Sequence, residues 1–138
     1  RLSEGEVRAC LVRQPRRYAE TCAGLWAVVR RDTGEMIGQC GLTWQDVGAE
    51  APVLEVGYLF LRAHWHQGFA SEAARACRDW AFSVLRAPRV YSVIRDTNVA
   101  SQRVAQRNGM AVIDRFVKHY RGVEMPHLLY AVDNPAKN

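Results

Sequence analysis

A long helix set between two strands constrains this chain more than any other feature. Val53-Leu-Glu-Val-Gly-Tyr-Leu-Phe-Leu61 is the strongest strand pattern in the sequence, and Glu55 is its only charged member. From about Ala70 to Leu85 the apolar positions 70, 73, 74, 77, 80, 81, 84 and 85 follow a helical stripe and not an alternation. Pro88 closes that helix, and Val90-Tyr-Ser-Val-Ile94 reads as the next strand. A strand, a helix of this length and a further strand imply a parallel crossover.

The remaining elements supply antiparallel partners. Leu25-Trp-Ala-Val-Val-Arg30 reads as a strand, Asp32-Thr-Gly-Glu35 as a hairpin turn and Met36 to Thr43 as the return strand. A loop runs from Asp46 to Pro52. Asn98 caps a short helix that Asn108-Gly109 ends, and Met110 to Tyr120 and His127 to Val132 read as a closing antiparallel pair. Residues 3–22 look helical, with a break near Pro15. The expected class is therefore α/β, a mixed and mainly antiparallel sheet with one parallel crossover and flanking helices. Gly57, inside its strand, predicts a bulge or a close backbone approach.

Composition narrows the function classes. No apolar run approaches the ~20 residues of a membrane span, and Arg-Leu-Ser-Glu-Gly-Glu at the start of the chain has no signal-peptide character. The formal charge is +5, yet residues 1–31 carry +4 of it and residues 32–138 are nearly neutral. A basic nucleic-acid stripe is not the expected reading. Cys10, Cys22, Cys40 and Cys77 have no metal-type spacing, so reduced thiols in a cytoplasmic protein are expected. His64 and His66 flank Trp65, but no third ligand has suitable spacing and no metal is expected.

Chemistry concentrates in the loop His64-Trp-His-Gln-Gly-Phe-Ala-Ser71. Gly68, Ala70 and Ser71 let a ligand approach a helix N-terminus, where free N–H groups and the helix dipole suit a diphosphate. The loop is neither a Walker A sequence nor a GxGxxG turn. Downstream, Asp96-Thr-Asn-Val-Ala-Ser-Gln-Arg-Val-Ala-Gln-Arg-Asn-Gly-Met110 leads a strand into an Asn-capped helix. Together with Trp65-His-Gln-Gly-Phe-Ala70 and Glu72-Ala-Ala74, this segment resembles the GNAT superfamily of N-acetyltransferases over roughly residues 25–132. The likeness is strongest to the branch containing ribosomal-protein N-terminal acetyltransferases. Trp65 stands where the superfamily has Arg or Gln, and His66 where this branch often has Gly. The superfamily's Tyr on the helix after Asn98 falls at Ala105.

That resemblance implies a GNAT-type sheet, acetyl-CoA as cosubstrate and direct transfer of acetyl to a primary amine in a ternary complex. The acceptor would be a protein N-terminus or a small-molecule amine. His66, Gln67, Gly68, Phe69, Ala70 and Ser71 would cradle the diphosphate, and backbone groups of Leu59, Phe60 and Leu61 would pair with the pantetheine arm. Asn98 would hold a pantetheine amide, and Ser101 would approach the sulfur as proton donor or through water. Glu55 is the candidate base, its alternative being an ion pair with an Arg of a neighbouring strand. His119 or His127 would be an auxiliary base near the final hairpin. Trp26, Trp44 and Trp80 read as core or edge packing. Glu55→Gln is expected to cost most at low pH, where fewer amines are neutral.

The family's sheet normally opens with a strand and helix ahead of the segment that starts here at Arg1. Residues 1–138 are accordingly expected to form one GNAT domain lacking its first strand. Family members are often dimers, so a homodimer is open, as is the acceptor. The rival functions are an acyl-CoA sensor without catalysis and a basic RNA- or ribosome-associated module on the same fold.

Overall fold

The structure is a computed structural model and describes residues 24–136. The helical reading of residues 3–22, Cys10, Cys22 and the expected missing first strand all lie outside these residues. Six strands form one sheet in the order β1-β2-β3-β4-β6-β5: β1 Gly24–Val29, β2 Met36–Gln45, β3 Val53–Phe60, β4 Arg89–Arg95, β5 Ala111–Tyr120 and β6 Val123–Asp133. All neighbouring pairs are antiparallel except β3 and β4. The helix between those two, α1 (Phe69–Ser83), makes the expected crossover, and α2 (Val99–Arg107) follows β4.

The helix α1 is amphipathic, and it buries Phe69, Ala73, Ala74, Cys77, Trp80 and Ala81 against the sheet. Three alanines in that stripe let the helix axis lie close to β2 and β3, where Cys40, Leu42, Leu54 and Val56 are also buried. Trp26 of β1 meets Trp80 edge to face at 5.8 Å, so these two tryptophans are core residues, while Trp44 is half exposed. The Sγ atoms of Cys40 and Cys77 lie 3.5 Å apart, and neither forms a disulfide.

Two asparagines tie the helices down. Asn98 Oδ1 accepts the Ser101 N–H at 3.1 Å as the N-cap of α2. Buried Asn108, at the other end, donates through Nδ2 to the Ala74 carbonyl of α1 at 3.3 Å, and Gly109 turns the chain away. Two expectations need correction. The β2–β3 register runs unbroken from Gly38 opposite Phe60 to Gln45 opposite Val53, so Gly57 carries no bulge. The close approach is at Gly41, where a Cβ would run into the Gly24 carbonyl. Secondly, β6 begins at Val123 and not at His127, passing through Pro126. The Pro126 carbonyl takes the Asp96 N–H just past the end of β4, so the absent N–H faces a side where no β4 partner remains.

Candidate active site

The site grows from the place where β3 and β4 part. Their parallel register consists of one pair, Glu55 opposite Tyr91. A continued ladder would hand the Val93 N–H to the Val56 carbonyl. Instead the Ser92 hydroxyl donates to the Val56 carbonyl at 2.7 Å, and the Val93 N–H donates to Glu55 Oε2 at 2.6 Å. Side chains splice the two strands at the vertex, and beyond it the strands open as a fork.

Glu55 is thus held in the sheet by a backbone amide, and among the described residues no Arg pairs with it. Burial pushes its carboxyl up to about 7, against the opposing pull of the Val93 N–H and the positive field of Lys118. Its other oxygen, Oε1, lies on the side of Gly57.

The backbone groups that face the fork follow from ladder alternation. The Leu61 N–H donates to the Ile37 carbonyl of β2 at 2.9 Å, so Leu59 and Leu61 turn their main-chain groups toward β2. Those of Val56, Tyr58 and Phe60 turn toward the fork. Of the three residues expected to pair with a pantetheine arm, only Phe60 presents its backbone there; Tyr58, which the sequence reading passed over, presents the other. The Phe60 carbonyl already accepts the Trp65 indole N–H at 2.8 Å, which gives Trp65 a structural task in the turn.

Across the fork, the Tyr58 hydroxyl donates to the Ser101 carbonyl at 2.7 Å, tying β3 to the first turn of α2. Burial pushes this phenol above its ordinary range. Tyr58 therefore stays protonated, and its hydroxyl hydrogen is committed to the Ser101 carbonyl. It works as a strap. Ser101 stands beside it, and Ala105, in the slot of the superfamily's tyrosine, is fully buried and has no group to offer. Asn98 keeps Nδ2 outside any bond among the described residues while its Oδ1 caps the helix.

At the open end of the fork, Gly68 caps α1 with φ of 83°, and the first amide bonded into the helix is that of Glu72, to the Gly68 carbonyl. The N–H groups of Phe69, Ala70 and Ser71 remain unpaired among the described residues, as helix geometry dictates. Gln67 Nε2 reaches only the Ala63 carbonyl, at 3.4 Å. His66 adopts φ of 63°, which explains why glycine suits this position. Arg62 lies over the Trp65 ring at 5.3 Å, while Arg30, over Phe69 at 5.0 Å, is engaged by both oxygens of Asp32. Free amides at a helix N-terminus with a guanidinium nearby suit an anionic diphosphate.

His127 stacks on Phe116 and its Nδ1 meets the Met125 carbonyl at 2.7 Å; His119 is exposed on β5. Among the described residues no cluster of His, Cys, Asp or Glu is placed to hold a metal ion, and no helix is long and apolar enough to cross a membrane.

A family model described as Acetyltransferase (GNAT) domain matches residues 2–111. The chain belongs to the GNAT acetyltransferase family. It is 43% identical over 86 residues to the uncharacterized protein YkkB of Bacillus subtilis (strain 168), covering 62% of this chain and 49% of that protein. The uncharacterized N-acetyltransferase YoaA of the same organism is 34% identical over 92 residues, covering 67% of this chain and 51% of that protein. The chain thus spans about half the length of these curated relatives. Its fold matches ribosomal-protein-S5-alanine acetyltransferase from Vibrio fischeri with a TM-score of 0.76 at 19% identity, covering 93% of this chain and 70% of that one. The GNAT sheet anticipated from the two motifs is present, with its parallel pair where the crossover helix requires it.

Proposed function

We propose that this chain carries the catalytic core of an acetyl-CoA-dependent N-acetyltransferase that acetylates a primary amine by direct attack in a ternary complex. The observation that carries this reading is Glu55. It is a largely buried carboxylate at the vertex of a fork, with one oxygen anchored by the Val93 N–H and the other unbound among the described residues.

Acetyl-CoA supplies the activated acyl group; the chain supplies placement and proton handling. The unpaired amides of Phe69, Ala70 and Ser71, with Gly68 and the main chain of His66 and Gln67, hold the diphosphate. The main chain of Tyr58 and Phe60 and the amide of Asn98 align the pantetheine arm. Glu55 Oε1 takes the proton from the attacking amine. The leaving thiolate is protonated from Ser101 or through water, since the Tyr58 hydroxyl hydrogen is committed to the Ser101 carbonyl.

A base matters more for a lysine ε-amine (~10.4) than for an α-amine (~7.8), since far less of the former is neutral near pH ~7.

Thiol release from acetyl-CoA with a panel of amines, run beside direct CoA titration, tests the reading. Glu55→Gln is expected to lower kcat/KM on the order of a hundredfold above pH ~7. Because Glu55 itself protonates below about 7, the loss shrinks toward acid pH, reversing what amine protonation alone suggests. Unchanged turnover across pH removes Glu55 from the chemistry. CoA binding without thiol release would identify a sensor instead, and strongly salt-dependent RNA binding without CoA binding would identify a ribosome- or RNA-associated module.

A further inference from the structure

Gly57 follows Glu55 by two residues on β3 and therefore shares its face of the sheet. Its φ is outside the left-handed region and its register against Gly41 is regular, so the backbone makes no demand for glycine here. What the missing side chain provides is space. A Cβ built on Gly57 lies 3.7 Å from Glu55 Oε1 and, among the described residues, meets no other atom within 4 Å. Opposite it the strip is closed, because the position of a Cβ on Gly41 is already filled by the main chain of Gly24.

Glu55 Oε2 is engaged by the Val93 N–H, so an amine must come to Oε1. A base works at a heavy-atom separation of about 2.6–3.2 Å. For an amine that approaches from the Gly57 side, a nitrogen at that distance and a carbon 3.7 Å from the same oxygen compete for one small volume once van der Waals separations of ~3.5–4.0 Å are respected. We infer that Gly57 is the port through which the acceptor amine reaches Glu55, and that the bulk of the residue at this position determines how much substitution the amine's α-carbon can carry. The inference rests on the acetyl-transfer reading above and specifies its acceptor side.

Gly57→Ala introduces only a contact of ordinary length, so that variant folds; Gly57→Val adds strand-favouring bulk. Each is assayed at fixed acetyl-CoA with a straight-chain primary amine and its α-branched isomer. The KM for acetyl-CoA is expected to hold, while kcat/KM for the branched amine falls at least tenfold more than for the straight one in Gly57→Val, and by a smaller factor in Gly57→Ala. Equal losses for both amines, or none, overturn the port. A second measurement needs no turnover. A water-soluble carbodiimide activates the protonated Glu55 carboxyl, a small primary amine displaces the urea to form an amide, and the tagged peptide is quantified by mass. Tagging is expected to fall severalfold in Gly57→Val, and unchanged tagging overturns the port. If the wild-type chain releases no thiol with any amine while Gly57→Val still blocks tagging, the port stands and the acetyl-transfer reading falls.

Discussion

Replacing the candidate base should make the protein more stable, and the size of the gain follows from its surroundings. Burial raises the Glu55 carboxyl from 4.5 to about 7. A raised carboxyl pKa means the folded state binds more protons than the unfolded chain between those two values. The associated stability is complete below pH ~4.5 and is lost as pH rises through about 7. At 1.36 kcal/mol per unit, keeping this carboxylate ionised and buried costs about 3 kcal/mol at pH ~8. That is a substantial part of the 5–15 kcal/mol typical of a domain. Glu55→Gln keeps the shape, accepts the Val93 N–H through its amide oxygen, and turns its NH2 toward the open side at Gly57. Urea unfolding of both proteins at about pH 4 and pH 8 provides the assay. The stability difference should be close to zero in acid and grow by about 3 kcal/mol in favour of Gln at the higher pH, a midpoint shift of roughly 1–3 M. A difference that does not change with pH would refute the reasoning, because the carboxyl would then carry no desolvation penalty.

His66 holds φ of 63°, a region that costs a non-glycine residue roughly 1 kcal/mol. His66→Gly should therefore stabilise by up to about 0.5–1 kcal/mol with CoA affinity retained, since the turn binds through its amides; a fall in melting temperature would contradict this. Tyr58→Phe removes the strap to the Ser101 carbonyl and should cost about 1 kcal/mol of stability. It should also weaken CoA binding severalfold in calorimetry with the pH profile unmoved; an altered pH profile would make Tyr58 a proton donor after all.

The fold was legible where periodicity and length speak. Positions 70 to 85 can bury their apolar residues only as a helix, and a helix of that length between strands 53–61 and 90–94 can return the chain only by a crossover. Glu55 stood out because a lone charge in an apolar strand demands a reason. Period-two alternation reports which face a side chain takes; it does not report where a ladder stops. The exchange of ladder bonds for the Ser92 hydroxyl and the Glu55 carboxylate was therefore invisible, as was the orientation of the Leu59 and Leu61 amides. Tyr58 drew no notice, since nothing in its neighbourhood names Ser101, 43 residues away, as its partner. Gly57 drew notice for its backbone, whereas its register is regular and a Cβ there would lie 3.7 Å from Glu55 Oε1.

With one residue pair forming the whole parallel seam, the sheet is mechanically two plates joined at a corner. One plate is β1–β2–β3 and the other β4–β6–β5, each internally braced by long antiparallel registers. The two plates are held together by Glu55, Ser92 and Val93 at the corner, by the Tyr58–Ser101 strap, and by the core that α1 packs across both. A molecule lodged between β3 and β4 would supply the rungs the protein omits and couple the plates. Its arrival would register as slowed amide exchange on both sides of the corner at once, whether or not any bond is made or broken.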